Sequence, residues 1–156
     1  MPSRQSLFAT FTTLAQLGYA HTFFGNLYEA TAKIPHRIAG DGSDDSRLPS
    51  MLSAGSPARY FVAGVPITVG STVGALLTGW KDPGNRRSLT AATASFAAAG
   101  ALTGYVVPVL NTKLFVAGDP LTRDERDRLL RTWYRLNAVR MVALGAGWLA
   151  LQRVRR

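Results

Sequence analysis

The sequence predicts an all-α membrane protein in which four helices form one up-and-down bundle. Residues 60–80 and 88–112 contain no charged side chain, and each is long enough as a helix to cross about 30 Å of hydrocarbon. Charged residues are concentrated between these stretches and near the chain ends. A soluble helix of this length normally carries a charged face, so this segregation favours a membrane location.

The predicted spans are residues 6–30, 59–80, 88–113 and 132–152, joined by short polar loops. The first span is interrupted by His21 and ends near Glu29, and the fourth begins with several polar residues before it becomes apolar. No internal segment is long or flexible enough to separate two domains. Residues 1–156 are therefore expected to form a single membrane domain.

Two alternative interpretations concern the same segments. A soluble all-α domain with two wholly buried helices would also contain two long uncharged stretches. Arg4, the apolar residues 7–17 and the small residues that follow them resemble a signal peptide with its cleavage site. Thr10, Thr12 and Gln16 interrupt that apolar stretch, and cleavage would remove most of a span. Retention as the first helix is therefore favoured.

Composition restricts the partners. Eighteen Lys and Arg against nine Asp and Glu give a net charge of +9, but no basic run outside the hydrophobic spans is interleaved with aromatic residues, so nucleic acid is not predicted. Basic loops beside anionic headgroups explain the charge, which makes the lipid bilayer the expected partner. The absence of cysteine excludes disulfides and thiolate ligands. No metal is predicted, because no histidine and carboxylate share ligand spacing on one helix.

The charge pattern also orients the bundle. With four spans, the two termini and the middle loop lie on one side of the membrane, where basic residues are hardly diluted by acidic ones. Because acidic residues count little in the positive-inside rule, both termini are expected to be cytoplasmic, in the plasma membrane. Trp80 and Tyr60 fit interfacial anchors at the two ends of the second span. The basic residues of this side are Arg4, Lys81, Arg86, Arg87, Arg153, Arg155 and Arg156.

Small residues and prolines predict how the spans pack. Gly70 and Gly74 in the second span, like Gly100 and Gly104 in the third, have the spacing that lets helices approach closely, so these two spans are expected to form the tight half of the bundle. Pro108 is expected to kink the third span.

Two further local features flank the second and fourth spans. Pro66 is expected to kink the second span near its outer end. Thr122, followed by Glu125, is typical of a helix N-cap, and a short amphipathic helix between the third and fourth spans is expected to lie over the outer end.

The candidate site collects polar side chains from three spans. In an up-and-down bundle the ends of the first and third spans and the start of the fourth lie at the same membrane level, on the non-cytoplasmic side. Helical spacing of three, four or seven residues brings the polar members of each span to one face. They are His21, Tyr28 and Glu29 on the first span, Tyr105 and Asn111 on the third, and Trp133, Asn137 and Arg140 on the fourth.

An ionisable group inside a membrane is costly unless it is paired or hydrated, which favours an ion pair of Glu29 with Arg140, hydrogen-bonded through Asn137 and Asn111. The alternative places Glu29 at the interface and lets Arg140 extend to the headgroups. His21 shares the face of Glu29 and can exchange protons near neutral pH, so it is a candidate base. A lone histidine is, however, more often a hydrogen-bonded core residue.

Two motifs carry a resemblance to a known family. Pro108-x-x-Asn111 ends the third span, and after a charged linker Trp133-x-x-x-Asn137-x-x-Arg140 opens the fourth. This order resembles the anthrone-oxygenase-like family of small four-span membrane proteins, most of whose members are uncharacterised. The resemblance implies oxidation of an anthrone or another polycyclic phenolic substrate to a quinone, with O₂ as co-substrate and no cofactor.

The resemblance also implies roles for the candidate residues. Arg140 and Asn137 are expected to stabilise the developing enolate oxygen, and Asn111 to orient it. His21 or Glu29 is expected to remove the proton. The aromatic side chains expected against the substrate rings are those of Tyr28, Tyr105 and Trp133.

A different class of function fits the same pattern. In a non-catalytic membrane module the polar cluster would hold the bundle together or bind a lipid, a small hydrophobic molecule or a partner subunit. Transport is a third alternative, weakened by the thin pathway that four spans provide and by the lack of an inverted repeat. The sequence does not specify an oligomeric state.

Overall fold

The computed structural model describes residues 2–41, 47–116 and 118–155. Within these ranges the chain forms five helices, four of them long, and no strand, so the all-α prediction is confirmed. A single backbone bridge joins Leu48 to Val116. The helices are α1 (Arg4–Thr31), α2 (Ile34–Ala39), α3 (Ala58–Gly79), α4 (Pro83–Phe115) and α5 (Arg123–Gln152).

Polar caps explain where three of the four long helices begin. At the start of α1, the Ser3 hydroxyl accepts a hydrogen bond from the backbone N–H of Ser6. At the start of α4, the Asp82 carboxylate accepts one from the N–H of Gly84, and Pro83 occupies the first helical position. Thr122 accepts from the N–H of Glu125 at 3.3 Å, which confirms the predicted N-cap. In α1, α4 and α5 the cap thereby satisfies one of the backbone donors that the first turn leaves open.

The helix that begins after Thr122 is longer than the short amphipathic helix that was expected there. Residues Arg123–Gln152 form one continuous helix, and the described residues between α4 and α5 contain no separate amphipathic helix. Neither proline nor glycine occurs between Arg123 and Ala143. Without such a residue, the charged turns simply continue into the apolar part of α5.

α3 is broken near its beginning. Its regular turns are Ala58–Phe61 and Gly64–Gly79, separated at Val62 and Ala63. Pro66 has no N–H to donate to the carbonyl four residues earlier, which is that of Val62. The interruption therefore falls one turn before the proline, at the end of the helix where the irregularity was expected.

α4 changes its winding around Pro108. Regular α-helix extends over Pro83–Tyr105, a π-helical segment covers Val106–Asn111, and one α-helical turn follows at Thr112–Phe115. Pro108 removes one donor from this part of the helix, and a wider turn is a common way to accommodate such a loss. The segment supplies part of the candidate site described below.

The four long helices form an antiparallel bundle. Along α1, residue 8 lies beside Gly79 and residue 21 beside Gly64, so α1 and α3 run in opposite directions. Tyr19 lies against Gly147, whereas Asn26 contacts residue 137, which makes α5 antiparallel to α1. α4 and α5 are also antiparallel, because Asn111 near the end of α4 is hydrogen-bonded to Trp133 and Asn85 near its start is hydrogen-bonded to Arg155.

The tight helix pairs are not the expected ones. α1 packs mainly on α3, and α4 packs mainly on α5, whereas α3 and α4 touch less. Gly18 approaches the Thr68 side chain so closely that a Cβ atom would overlap it. A Cβ at Gly100, Gly104 or Gly70 would meet no atom within 4 Å. The prediction that the second and third spans form the tight half is therefore wrong.

The bundle buries several polar side chains beside its apolar core and exposes many large apolar ones. Thr12, Thr68, Ser71, Asn137 and Arg140 are buried. Valine, leucine, isoleucine and phenylalanine side chains cover much of the outer surface of three of the long helices, as in Leu17, Phe24, Ile67, Val73, Leu77, Val139, Val142 and Leu149. A protein folded in water normally shows the opposite distribution of large apolar side chains.

Two described helices are long and apolar enough to cross a membrane, α3 with 22 residues and α4 with 33. α1 and α5 have the length but not the hydropathy, since α1 contains five threonines and several other polar residues and the first half of α5 is charged. Length and composition thus support two of the four expected spans by themselves, which is weak evidence for a membrane location.

Two apolar clusters fill the bundle, one toward the chain termini and one toward the long loops. The first includes Phe8, Tyr19, Leu89 and Leu144, and the second is centred on Leu110 and Trp133 in contact with α2. Polar residues separate the clusters, because positions 137 and 140 of α5 lie between their members on that helix. The candidate site lies in this polar layer.

The loop after α2 is fastened to the end of α4. The Arg47 side chain, which is buried, donates to the carbonyl oxygens of Val116 and Asp119 at 3.3 and 2.9 Å, and the N–H of Leu48 donates to the Phe115 carbonyl at 2.6 Å. The last carbonyls of a helix have no partner within it, so Arg47 satisfies groups that α4 leaves open. The loop and α2 thereby cover the loop end of the bundle.

Candidate functional site

A cavity of about 420 Å³ lies between α1, α3, α4 and α5, below the loop that precedes α3. Its volume falls in the range of small-molecule pockets, about 300–1,000 Å³. Apolar side chains form most of the wall, and α1, α4 and α5 contribute the polar groups. The lining includes Asn26, Glu29, Thr103, Val107, Asn111 and Arg140.

Arg140 is the central polar group of the site. It is 7% exposed, and its guanidinium donates to the amide oxygens of Asn26 and Asn137, the latter at 2.6 Å, and to the Thr103 hydroxyl at 3.3 Å. Its Nε is buried and has no partner among the described residues. Arg140 therefore joins α1, α4 and α5 and still has one unsatisfied donor.

The Asn137 side chain links Arg140 to the backbone of α1. It is fully buried, and its amide nitrogen donates to the backbone carbonyl of Asn26 at 3.2 Å while its oxygen accepts from Arg140. It does not line the cavity. The family resemblance implied that Asn137 contacts the substrate, whereas in the structure its side chain is hydrogen-bonded to Arg140 and to the backbone of α1.

Asn111 and Trp133 form a second linked pair. The indole Nε1 of Trp133 donates to the amide oxygen of Asn111 at 2.9 Å, across the π-helical segment of α4 and the start of α5. Trp133 is buried in the apolar cluster and does not line the cavity, although it was expected to stack on a substrate. Because the oxygen of Asn111 is occupied, its NH₂ group remains as a donor on the cavity wall.

Glu29 lies on the α1 side of the same cavity. The Glu29 carboxylate forms no ion pair with Arg140 within 4.0 Å. Among the described residues, Arg126 and Asp127 form such a pair. The expected direct Glu29–Arg140 pair is therefore wrong. Amide oxygens of Asn26 and Asn137 take the place next to the guanidinium that the carboxylate was expected to occupy.

His21 faces α3 and does not line this cavity. Its ring stacks on Tyr60 with 4.2 Å between ring centroids, and its Nε2 is 3.3 Å from the Tyr60 carbonyl oxygen. Gly64 makes room for it, since a Cβ there would lie 2.6 Å from the ring. Eight residues rotate about 80° around a helix, which is enough to turn His21 away from the wall that Glu29 lines.

The side chains of Tyr28 and Tyr105, which were expected against a substrate, do not line this cavity either. Tyr105 is about half exposed and lies outside the cavity, because the face of α4 that lines it carries Thr103, Val107 and Asn111, at spacing four. Tyr28 lines a smaller neighbouring cavity of about 230 Å³ together with Phe24 and Tyr60. Glu29 borders both cavities.

Asn26 is a residue of the candidate site that the sequence analysis missed. It is 2% exposed, lines the cavity and binds both Arg140 and Asn137. The signal was present, because Thr22, Asn26 and Glu29 have the i, i+4, i+7 spacing of one helix face. His21, Gly25 and Tyr28 have the same spacing on a neighbouring face of α1. That second face packs on α3, which the sequence spacing alone does not reveal.

Chemically, the site combines a carboxylate, a guanidinium and an amide NH₂ group on the wall of a largely apolar cavity. Such a site can hold a hydrophobic molecule and bind an oxygen atom of it at Arg140 and Asn111. In a medium that excludes water, a positive charge stabilises a developing oxyanion more strongly than it would in solution. Glu29 is positioned to accept a proton from the same molecule.

Comparison with models of protein families, with curated proteins and with solved structures finds no match to this chain. The resemblance to the anthrone-oxygenase-like family therefore rests on the two sequence motifs.

Proposed function

We propose that this chain is an integral membrane protein whose four long helices all cross the bilayer. The distribution of side chains supports it, because large apolar residues cover the outside while Arg140 and several hydroxyl and amide groups lie inside. α1 and α5 are less apolar than α3 and α4, but they lie antiparallel beside them along the bundle. Leu17 and Phe24 on α1, and Val139 and Val142 on α5, then face lipid.

Within this membrane protein, the cavity is the binding site of an anthrone-like or other polycyclic phenolic molecule, which is oxidised by O₂ without a cofactor. One observation carries this proposal: a buried guanidinium and a carboxylate line the same largely apolar cavity. A hydrophobic ring system fits the apolar wall, and its oxygen fits the donors. Arg140 and Asn111 bind that oxygen.

The reaction proceeds from proton removal. Glu29 takes one proton from the methylene group of the anthrone, and the charge of the resulting anion moves onto the oxygen beside Arg140. The anion gives one electron to O₂, and the radical and superoxide combine to form a C–O bond. After protonation, the hydroperoxide loses the second methylene proton as its O–O bond breaks. Anthrone and O₂ thus yield quinone and water.

Residue roles follow from this sequence of steps. Asn26, Asn137 and Thr103 position the guanidinium, and Trp133 positions the amide of Asn111. His21, which was a candidate base, has no part in the reaction, because Glu29 is the proton acceptor on the cavity wall. Tyr28 lies at the neighbouring cavity, where a substituent of a larger substrate can extend.

Oxygen uptake and quinone absorbance test the proposal. Membranes with equal amounts of wild-type protein, Glu29→Gln, Arg140→Ala or Arg135→Ala are supplied with a panel of anthrones. Loss of the base is expected to slow turnover by about 100-fold or more, and loss of the guanidinium by a similar factor. Arg135 is an exposed arginine of the same helix outside the cavity, so its replacement is expected to leave turnover unchanged. Full activity of Glu29→Gln would contradict the assigned base.

A non-catalytic module is the second candidate, and the hydrogen bonds of Arg140 favour it. Because Arg140 joins three helices, the polar layer alone stabilises the bundle, and the cavity binds a lipid, a small hydrophobic molecule or a partner subunit. Under this alternative Arg140→Ala lowers the amount of folded protein, while Glu29→Gln alters neither protein level nor any oxidation. The two variants therefore distinguish the candidates.

A further inference from the structure

A second cavity, of about 520 Å³, lies at the opposite end of the bundle from the candidate site. The first turn of α1, the turn between α3 and α4, and the residues after α5 surround it. Three cationic side chains line this terminal cleft, those of Arg4, Lys81 and Arg155. Its only acidic lining residue in the described part of the chain is Asp82.

The Asp82 carboxylate is engaged elsewhere. One of its oxygens accepts from the N–H of Gly84 at 2.9 Å, and the other accepts from the Asn85 amide at 3.0 Å. It forms no ion pair with Arg4, Lys81 or Arg155. The carboxylate thus caps α4 and leaves the three cations without an acidic partner in the cleft.

Asn85 fixes the third cation in position. It is 1% exposed, and it binds the backbone of Arg155 twice, donating to its carbonyl at 2.9 Å and accepting from its N–H at 2.8 Å. The chain after α5 is therefore attached to the start of α4. This attachment brings Arg155 to the same cleft as Lys81, which is far from it in sequence.

Each cation retains donors for a ligand. Arg4 uses one guanidinium nitrogen to bind the Thr78 carbonyl at 2.6 Å, which holds the side chain over the cleft. The side chains of Lys81 and Arg155 make no hydrogen bond with another described residue. Phe8, Gly79 and Asn85 are buried and form the floor. The cleft is therefore a preformed concave surface with three convergent positive charges.

We propose that this terminal cleft binds the phosphate group of an anionic phospholipid. Two guanidinium groups and one ammonium match the charge and the acceptor oxygens of a phosphate. The inference rests on the proposed membrane location, and it does not depend on the proposed oxygenase chemistry. If the bundle crosses the bilayer, this end lies at the headgroups of one leaflet.

The surroundings of the cleft favour a lipid over a free phosphate ion. Leu77, which is 71% exposed, lies one turn below on α3, where an acyl chain can run along the helix. Trp80 is half exposed beside Lys81, and the Arg86 guanidinium lies 5.7 Å from its ring centroid. Tryptophan in this setting is typical of the interface between headgroups and hydrocarbon.

Native mass spectrometry of the purified protein in neutral detergent tests the proposal, with phosphatidylglycerol and phosphatidylcholine as the probes. The test variant is Lys81→Gln/Arg155→Gln, whose side chains make no internal hydrogen bonds that folding would lose. The matched control is Arg87→Gln/Arg153→Gln, which removes the same charge at the same end but outside the cleft. A separate arm follows the thermal midpoint in millimolar sodium phosphate against sodium chloride of equal ionic strength.

We expect the wild-type protein to retain phosphatidylglycerol more tightly than phosphatidylcholine, and the test variant to bind phosphatidylglycerol about tenfold more weakly. The control pair is expected to bind as the wild type does. Equal losses in both variants would overturn the proposal, because general surface charge would then explain the binding. A rise in midpoint with inorganic phosphate, without preference for phosphatidylglycerol, would overturn the lipid as the ligand.

Discussion

At the scale of single residues, the structure explains how a guanidinium can lie inside a bundle that is proposed to cross a membrane. A buried charge is unfavourable unless hydrogen bonds replace its hydration. Arg140 obtains these from two amide oxygens and one hydroxyl, which come from α1, α4 and α5. Because neutral acceptors surround the guanidinium of Arg140, Glu29 forms no direct ion pair with it.

Asn26 provides the test of this arrangement. Asn26→Leu removes an acceptor from a charged donor and is expected to lower the free energy of unfolding by about 2–3 kcal/mol. Asn26→Asp keeps an acceptor oxygen in place and is expected to be less destabilising. Unfolding of the purified protein by denaturing detergent measures both variants.

The control for Asn26 is Thr31→Ala, at an exposed position on the same helix where the hydroxyl bonds only to carbonyls of its own helix. An Asn26→Leu variant that is no less stable than Thr31→Ala would show that the bond to Arg140 contributes nothing to stability.

At the scale of helices, packing depends on which small residues meet a neighbour. Glycine at positions 18 and 147 allows close contact with Thr68 and Tyr19. Glycine at position 100 faces outward, with nothing within 4 Å of the place where a Cβ would be. Spacing of small residues therefore identifies helix faces that permit close approach, but it does not identify which face is used.

Gly147→Ala and Gly100→Ala form a matched pair for this conclusion. A methyl group at position 147 would overlap the Tyr19 ring, so we expect a loss of about 1–3 kcal/mol in the free energy of unfolding. At position 100 the same change is expected to be neutral or slightly stabilising, because alanine favours a helix. The same unfolding measurement applies. Equal destabilisation by both would mean that the outward face of α4 is packed in the protein.

At the scale of the whole molecule, the buried polar layer and the exposed apolar surface support a bundle that crosses the bilayer, with both termini at one side. The chain contains no cysteine, so a single introduced cysteine reports its own accessibility without background. Pro2 and Asp124 are exposed positions near opposite ends of the bundle. They are suitable sites for such a cysteine.

With four spans and cytoplasmic termini, Asp124→Cys is expected to react with a membrane-impermeant maleimide added to intact cells. Pro2→Cys is expected to react only after permeabilisation. Mass shift of the labelled protein on a gel gives the result. Labelling of both positions from the same side would rule out the four-span arrangement, whereas a reversal of the two would keep four spans and invert the orientation.

The sequence by itself determined the helical architecture of this protein. Long stretches without charge predict long helices. The cap at Thr122 and the prolines at positions 66 and 108 affect only the neighbouring turns of a helix, so their effects can be derived from local chemistry. The same local periodicity brought Arg140 and Asn137 to one face of α5, and both are in the polar layer. The sequence also indicated that the polar residues of α1, α4 and α5 would meet.

Only the tertiary structure decided which of these residues form the cavity. Helical spacing allows several adjacent faces on α1, and the way α1 packs on α3 turns His21 toward Tyr60 and Asn26 toward Arg140. On α4 it places Tyr105 outside and Thr103 inside. The physical reason is that helix rotation is fixed by contacts between distant segments, which a local pattern does not contain. The terminal cleft arises in the same way, since Asn85 brings Arg155 beside Lys81.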